Sequence, residues 1–303
     1  MRPSVLILVL SVLLWGSASG EAPVRYIATV APIADLLARV TEGRAEVIRL
    51  LPSGASPHTY EPRPSDIRSA EGAAAIVYVD RLLDGWAANL PGPRRLRVLG
   101  LVPDSLLLPL PADVLPGHDH DHGARGGGGD ERDSPATDPH FWLDPVAVAA
   151  TIPVLAESLA AFDPEGAEVY RRNGARVAAS VDSLHRRIEA TLEPFRGRVV
   201  LLSHPFNRYF LRRYGIREAG VIEIVPGKEP TAKELVRVIR AVRQSGADAI
   251  FALPQLSREP ARAVEEATGI PVVLLDPLGG APGLDTYEEI LLAMTRGAAE
   301  ALR

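Results

Sequence analysis

The chain has 303 residues, 47% of them hydrophobic and 23% charged, a composition typical of a globular protein with enough apolar material for two cores. Its formal net charge of -5 and the lack of a basic stripe make nucleic acid and anionic membrane surfaces poor candidates as partners. The absence of cysteine excludes disulfides, thiolate metal sites, cysteine nucleophiles and a lipid anchor on a cysteine.

The first residues predict an export signal. Arg2 precedes an almost unbroken apolar run over residues 5–15, and small residues fill positions 16–20. This arrangement is typical of a cleaved secretory signal peptide. A membrane anchor is the alternative, but the run is shorter than the ~20 residues that a spanning helix needs. We therefore expect a signal peptide over residues 1–20 and a mature, periplasmic chain without a lipid anchor.

The first half of the mature chain alternates short β-rich runs with helical patterns, which predicts βα units and a parallel sheet. We expect strands over residues 24–30, 45–51 and 73–79, and helices over 33–40 and from Pro64 onward. Two longer helices are predicted over residues 145–161 and 164–192. At ~1.5 Å per residue the second would span roughly 40 Å, as a rigid spine.

The second half repeats the same rhythm. We expect strands over residues 199–202, 221–225, 249–253 and 272–275, and helices over 205–214, 231–244, 259–268 and 286–302. The pattern predicts an α/β fold in which two lobes with parallel-type sheets are joined by the spine helix. The predicted parts are an N-terminal lobe over 21–162, the spine over 163–195 and a C-terminal lobe over 196–303.

Residues 117–138 interrupt this rhythm. They include four consecutive glycines and almost no apolar side chain, so burial cannot offset the entropy of ordering them and we expect a mobile loop. His118, His120 and His122 alternate there with aspartates. Such a stretch can capture zinc weakly. The alternative is an inert acidic linker.

Four residues are candidate ligands of a metal ion. His58, His204 and Asp276 each follow a predicted strand, and ligands bind at the carboxyl ends of strands in open α/β sheets. His140 lies between two prolines that restrict the local backbone. Three imidazoles and one carboxylate would complete a tetrahedral zinc shell. His185, in the middle of the spine helix, is expected to be a surface residue.

Five stretches of the sequence resemble a known family. They are residues 54–66 (GASPHTYEPRPSD), 138–145 (DPHFWLDP), 203–206 (SHPF), 227–231 (GKEPT) and 275–279 (LDPLG). In this order they resemble the cluster A-I metal-binding receptors of bacterial ABC importers, the zinc and manganese solute-binding proteins. The resemblance extends over essentially the whole mature chain and implies two α/β lobes with a metal site in the cleft between them.

The resemblance implies that His58, His140, His204 and Asp276 are the four metal ligands. One departure is visible, because Ser56 stands where the family usually has an aspartate before the Pro-His pair. That position is not a ligand in the family, so the change concerns the geometry of the loop.

The third ligand position indicates the metal. The manganese-type receptors typically have glutamate there, whereas this chain has His204. Three nitrogen ligands suit zinc, while manganese prefers oxygen, so we expect one tightly bound Zn(II) as the transported ligand. A manganese receptor of the same family is the alternative.

Glu61 is expected to be solvated. The alternative is that it orients an imidazole or serves as a further carboxylate ligand.

The resemblance implies a receptor that passes zinc to a membrane permease driven by a separate ATPase, with a metal-donating protein as a further candidate partner. Two other classes compete with this interpretation. A zinc hydrolase is disfavoured because four protein ligands leave no open position for water, and no HExxH or GxSxG motif occurs. A cell-surface adhesion protein is disfavoured by the absence of a lipid-anchoring cysteine. We therefore expect a receptor and not an enzyme.

Overall fold

The computed structural model of the protein describes residues 24–110, 136–223 and 230–303. The predicted signal peptide lies outside the described residues. So do His118, His120 and His122, together with the GKE part of the fourth motif.

The first sheet has four parallel strands in the order β2-β1-β3-β4. The strands are β1 (Val24–Ala28), β2 (Ala45–Arg49), β3 (Ala75–Tyr78) and β4 (Arg95–Arg97). The helices of this part are α1 (Ala31–Thr41), α2 (Pro64–Ala70) and the short α3 (Arg81–Asp84). Strand β4 was not predicted, because its single buried residue, Leu96, lies between two exposed arginines and gives no apolar run.

Two long helices follow, α4 (Pro145–Phe162) and α5 (Ala167–Leu192). They pack closely, since a Cβ at Gly174 would lie 3.0 Å from the Cβ of Ala156. Helix α5 has 26 residues, or about 39 Å of axis, and starts after a 3-10 turn at Pro164–Gly166. Among the described helices, α4 alone is long and apolar enough to cross a membrane, with a mean hydropathy of 1.7 and 56% of it buried. An all-round apolar helix of this kind also forms the centre of a protein core.

The second sheet has four parallel strands in the order β6-β5-β7-β8. The strands are β5 (Val199–Leu202), β6 (Arg217–Val221), β7 (Ala249–Ala252) and β8 (Val272–Leu274). The helices are α6 (Arg208–Tyr214), preceded by a 3-10 turn at Pro205–Asn207, α7 (Ala232–Ser245), α8 (Glu259–Thr268) and α9 (Tyr287–Ala301). Two parallel sheets and the long helix α5 confirm the predicted α/β class.

The prediction of a strand over residues 221–225 was wrong. The strand lies before this stretch, and Val221 is its last residue. The reason is the pairing partner: β6 is an edge strand, and its ladder with the four-residue β5 ends where Leu202 meets Val221. Beyond the strand, the backbone N–H groups of Ile222 and Glu223 still donate to the backbone oxygens of Leu202 and Ser203, and residues 224 and 225 lie outside the described part of the chain.

Both sheets share one continuous core with α4, α5 and α9. Alternate residues, such as Tyr26 in β1 and Val200 in β5, face this core. Their neighbours Ile27 and Leu201 face two smaller clusters on the outer sides of the sheets. The central strands β1, β3, β5 and β7 are therefore largely buried on both faces, as is usual for parallel sheets. The composition allows two separate cores, but the largest hydrophobic cluster contains residues of both sheets.

Candidate metal centre

His58 lies in the loop between β2 and α2, at the carboxyl end of β2. Its Nδ1 is 3.1 Å from the backbone oxygen of Leu82. The indole of Trp86 donates a hydrogen bond of 3.0 Å to the backbone oxygen of Pro57, the residue before His58. These two contacts fix the loop and the imidazole together.

His140 is held by a carboxylate two residues before it. Asp138 Oδ1 accepts hydrogen bonds from the backbone N–H of His140 at 3.0 Å and from its Nδ1 at 2.8 Å. Asp138 is fully buried, and its backbone oxygen accepts a hydrogen bond of 3.0 Å from the Tyr209 hydroxyl on α6. A carboxylate on Nδ1 fixes the tautomer and the orientation of the ring.

His204 follows β5 directly. Its Nδ1 is 3.3 Å from the backbone oxygen of Glu223, so Nδ1 carries the hydrogen. Its Nε2 is buried and has no hydrogen-bond partner within the described part of the chain. A buried lone pair without a donor is costly to leave unmet, and it is the form of imidazole that binds a metal ion.

The three imidazoles meet at one point between the two sheets. One ring nitrogen of each lies within 4.8 Å of the others, and the ring centroids are 5.3 to 5.8 Å apart. Because each Nδ1 already faces an oxygen acceptor, Nε2 is the nitrogen left for a ligand. Apolar side chains surround the pocket that the imidazoles line, among them those of Leu83, Trp142, Phe206 and Leu253.

Burial keeps the imidazoles of His58 and His204 neutral. Desolvation, followed by the proximity of His140, lowers the pKa of His58 to about 3. Desolvation, followed by the proximity of His140 and His58, places the pKa of His204 well below its usual range. Neutral imidazole is the species that coordinates a metal, so both of these rings are in the form that can bind one at neutral pH.

The predicted fourth ligand, Asp276, lies outside this group of nitrogens. Its Oδ1 accepts hydrogen bonds from Gln255 Nε2 at 2.7 Å and from the backbone N–H groups of Leu278 and Gly279 at 3.0 and 3.1 Å. Gln255 lines the imidazole pocket and connects it to Asp276. Glu61 is exposed and is not part of the group.

His185 lies on α5, away from the centre. Its Nδ1 is 3.4 Å from the Tyr214 hydroxyl, and its side chain is 20% exposed, so it is more buried than a surface residue.

Sequence reasoning assigned no role to Asp138 or Gln255. For Asp138, a signal was available in its position two residues before His140, where a carboxylate can reach both the backbone and the ring of the histidine. Gln255 follows β7 in the same way that His204 follows β5, so the rule that ligands gather at strand ends applies to it too.

The chain is similar to proteins that bind zinc. A family described as zinc-uptake complex component A, periplasmic, matches residues 27–301. The high-affinity zinc uptake system protein ZnuA of Paracoccus denitrificans is 30% identical over 342 aligned positions, which cover 100% of this chain and 99% of the relative. The zinc-binding protein AdcA of Streptococcus pyogenes serotype M3 is 25% identical, and the match covers 86% of this chain but 51% of that relative. This chain thus spans about half the length of the streptococcal relative.

Solved structures show the same fold. The crystal structure of a ZnuA protein superposes with a TM-score of 0.73 at 25% identity and covers 93% of this chain and 100% of the other. The binding protein FpvC of Pseudomonas aeruginosa in complex with Mn²⁺ superposes with a TM-score of 0.75 at 22% identity, over 92% of this chain and 98% of the other. At 22% identity, the similarity to FpvC shows a shared fold and nothing more. Since the family match extends over nearly all the described residues, the chain belongs to the family of periplasmic A components of zinc-uptake complexes.

Proposed function

We propose that the chain is a periplasmic receptor that binds one Zn(II) as cargo and delivers it to the membrane permease of an ABC importer. The observation that carries this proposal is the convergence of three imidazoles, two of them buried, whose Nδ1 atoms all face oxygen acceptors. The family is one of metal-binding components of uptake complexes and not of enzymes. A cleaved signal peptide over residues 1–20 would place the mature chain in the periplasm, and a separate ATPase would drive transport.

His58, His140 and His204 would bind zinc through Nε2. Nitrogens on one tetrahedral zinc ion, at ~2.1 Å from the metal, lie about 3.4 Å from one another. The three ring nitrogens are already within 4.8 Å of each other, so a small approach of the rings would complete the shell. The oxygens that accept hydrogen bonds from Nδ1 would make Nε2 of each imidazole a stronger electron donor to the metal.

Asp276 would supply the fourth ligand from the C-terminal part of the chain. Its Oδ1 accepts three hydrogen bonds, which leaves Oδ2 for a metal ion. His58 and His140 would then bind from one side of the cleft, and His204 and Asp276 from the other. An ion bound by both sides of the cleft favours the closed arrangement of the two sides, because the ion binds that arrangement more tightly. Small tilts about the long α5 would be enough for this change.

The donor set favours zinc over manganese. Three imidazole nitrogens suit zinc, whereas manganese prefers oxygen ligands. Manganese is the alternative cargo, because the same fold also binds Mn²⁺ in FpvC. The choice of metal therefore depends on the ligands, with His204 as the residue that makes the site rich in nitrogen.

The His-rich loop would have an accessory role. We propose that His118, His120 and His122 collect zinc weakly near the cleft, from solution or from a metal-donating protein. Deletion of residues 117–133 should remove weak binding and leave the tight site intact. Loss of tight binding in this deletion would contradict the proposed division of roles.

A competition titration tests the main proposal. Metal-free mature protein is titrated with zinc and with manganese against a calibrated chelator, for the wild type and for His204→Ala and His185→Ala. We expect one tight zinc per chain, no displacement by manganese, loss of this site in His204→Ala and no loss in His185→Ala. Equal or tighter manganese binding would identify a manganese receptor, and the absence of a tight site would refute the receptor function.

A further inference from the structure

Each of three neighbouring strands of the second sheet is followed, within three residues, by a polar side chain. His204 follows β5, Gln255 follows β7 by three residues, and Asp276 follows β8 by two. Since the strand order is β5-β7-β8, Gln255 lies between the imidazole and the carboxylate. The backbone N–H of Leu253, just before it, donates a hydrogen bond of 3.3 Å to Ser203 Oγ and ties this loop to the end of β5.

The orientation of the Gln255 amide is determined by its partner. A carboxylate only accepts hydrogen bonds, so the group that lies 2.7 Å from Asp276 Oδ1 must be the NH₂ end of the amide. The amide oxygen therefore points away from Asp276. With the backbone N–H groups of Leu278 and Gly279, three donors converge on Oδ1 and restrict the rotation of the carboxylate.

The other end of the amide has no hydrogen-bond donor beside it among the described residues. Gln255 Oε1 is buried and, like His204 Nε2, has no hydrogen-bond partner within the described ranges. Both residues line the same pocket. A cation, or a water molecule bound to a cation, would stabilise two buried acceptors that have no donor between them. An anion would be repelled by the same two acceptors.

We propose that Gln255 is a positioning residue of the zinc site, a role that rests on the function proposed above. Its Nε2 holds Asp276 by Oδ1, so that Oδ2 is the oxygen free to bind the metal. Side chains that orient metal ligands through hydrogen bonds typically change metal affinity by about 10- to 100-fold when they are removed. Gln255 follows β7, which carries no proposed ligand, and connects it to β5 and β8, which are followed by His204 and Asp276.

The test uses Gln255→Met, which keeps the length of the side chain and removes both polar ends. Gln255→Glu keeps the shape and loses the donor. The matched control is Gln244→Met, the same substitution at an exposed glutamine of α7. Zinc affinity is measured by chelator competition on metal-free mature protein, and thermal unfolding of each metal-free variant checks the fold. We expect both Gln255 variants to bind zinc about 10- to 100-fold more weakly, with Gln244→Met unchanged.

Two further measurements separate positioning from a general loss of stability. The absorption spectrum of bound Co(II), which reports coordination geometry, should change in Gln255→Met and stay constant in Gln244→Met. In an Asp276→Ala background, Gln255→Met should cause no further loss, because it acts through the missing carboxylate. An additive loss in the double variant would mean that Gln255 acts through Oε1 and would overturn the proposal. Tight zinc binding by the wild type with unchanged affinity in Gln255→Met would overturn it too, while leaving the receptor function intact.

Discussion

The carboxylate of Asp138 controls which nitrogen of His140 faces the pocket. It accepts from both the backbone N–H and the Nδ1 of this residue, and it is fully buried, so water does not compete for it. The Nδ1 of His58 and of His204 faces a backbone oxygen instead. Only His140 thus has an orienting partner that a point substitution can remove.

Asp138→Ala should weaken zinc binding by about 10- to 100-fold, because the ring of His140 loses its fixed tautomer and orientation. Asp138→Asn retains an oxygen acceptor and should recover most of the affinity. Chelator competition gives the affinities, and circular dichroism of the metal-free variants checks the fold. Equal losses in the two variants would show that the charge of Asp138, and not its acceptor oxygen, is what matters.

The sequence was sufficient to select the three imidazoles that converge, because strand-end position indicates His58 and His204, and the resemblance of residues 138–145 to the receptor family adds His140. It could not show that the Oδ1 of Asp276 is occupied by three donors, or that Gln255 intervenes. Such contacts depend on side-chain directions across neighbouring strands, and local sequence patterns do not encode them. The exposure of Glu61 agrees with the solvated side chain that was expected.

At the scale of elements, Asp163 joins the end of α4 to the turn between α1 and β2. Its carboxylate accepts from Arg44 at 2.7 and 2.6 Å and from the Tyr170 hydroxyl at 2.6 Å. The hydrogen bonds from Arg44 outweigh desolvation and, together with that from Tyr170, lower the pKa of the Asp163 carboxyl. The ionised form is therefore the one that the folded state stabilises.

Asp163→Asn should lower the free energy of unfolding by about 1–2 kcal/mol at pH 7. Because the folded pKa lies below the unfolded value of about 3.9, the contribution is present above about pH 4 and is lost as the pH falls through the folded pKa. Urea unfolding of both proteins between pH 7 and 3.5 should show the difference shrinking at the acid end. Glu165→Gln, which alters a 74% exposed partner of the same arginine, is the control and should change little.

Most helices and strands were predictable because their patterns are local. The first residues of α7 and α9 follow Thr231 and Thr286, each of which forms a capping box with a glutamate three residues later. Strands β4 and β6 were not predicted correctly, because β4 has a single buried residue between two exposed arginines and β6 has no buried residue, so neither gives an apolar run. The predicted boundaries of the two lobes and of the spine remain predictions.

At the scale of the whole molecule, the two sheet-bearing parts contact each other through the loop after β8. The indole of Trp142 donates a hydrogen bond of 3.0 Å to the backbone oxygen of Pro277, and Ser53 Oγ donates to that of Gly280. A Cβ at Gly280 would lie 2.5 Å from Arg49 Nη1 and 2.6 Å from Ser53 Oγ. A side chain at this position would therefore displace Arg49 and Ser53, and the positive φ of 82° at Gly280 also favours glycine.

Gly280→Ala should destabilise the protein more than Gly283→Ala does. Both glycines have a positive φ, at 82° and 81°, but no atom lies within 4 Å of a Cβ at Gly283. We expect a loss of about 1 kcal/mol at Gly283 from the backbone alone and about 2 kcal/mol at Gly280, where the contact with Ser53 is also disturbed. Denaturant unfolding measures both values, and equal losses would mean that this contact contributes nothing to stability.

The three imidazoles come from distant segments of the chain, and this has a consequence for the order of folding. Bringing such segments together costs loop-closure entropy that a single ion would have to offset in an unfolded chain. In the native chain the two sheets already meet this cost, because the three nitrogens converge once both sheets have assembled. A chain that is still folding would lack this complete set of nitrogens, so the three-imidazole site would form only when the native topology is complete.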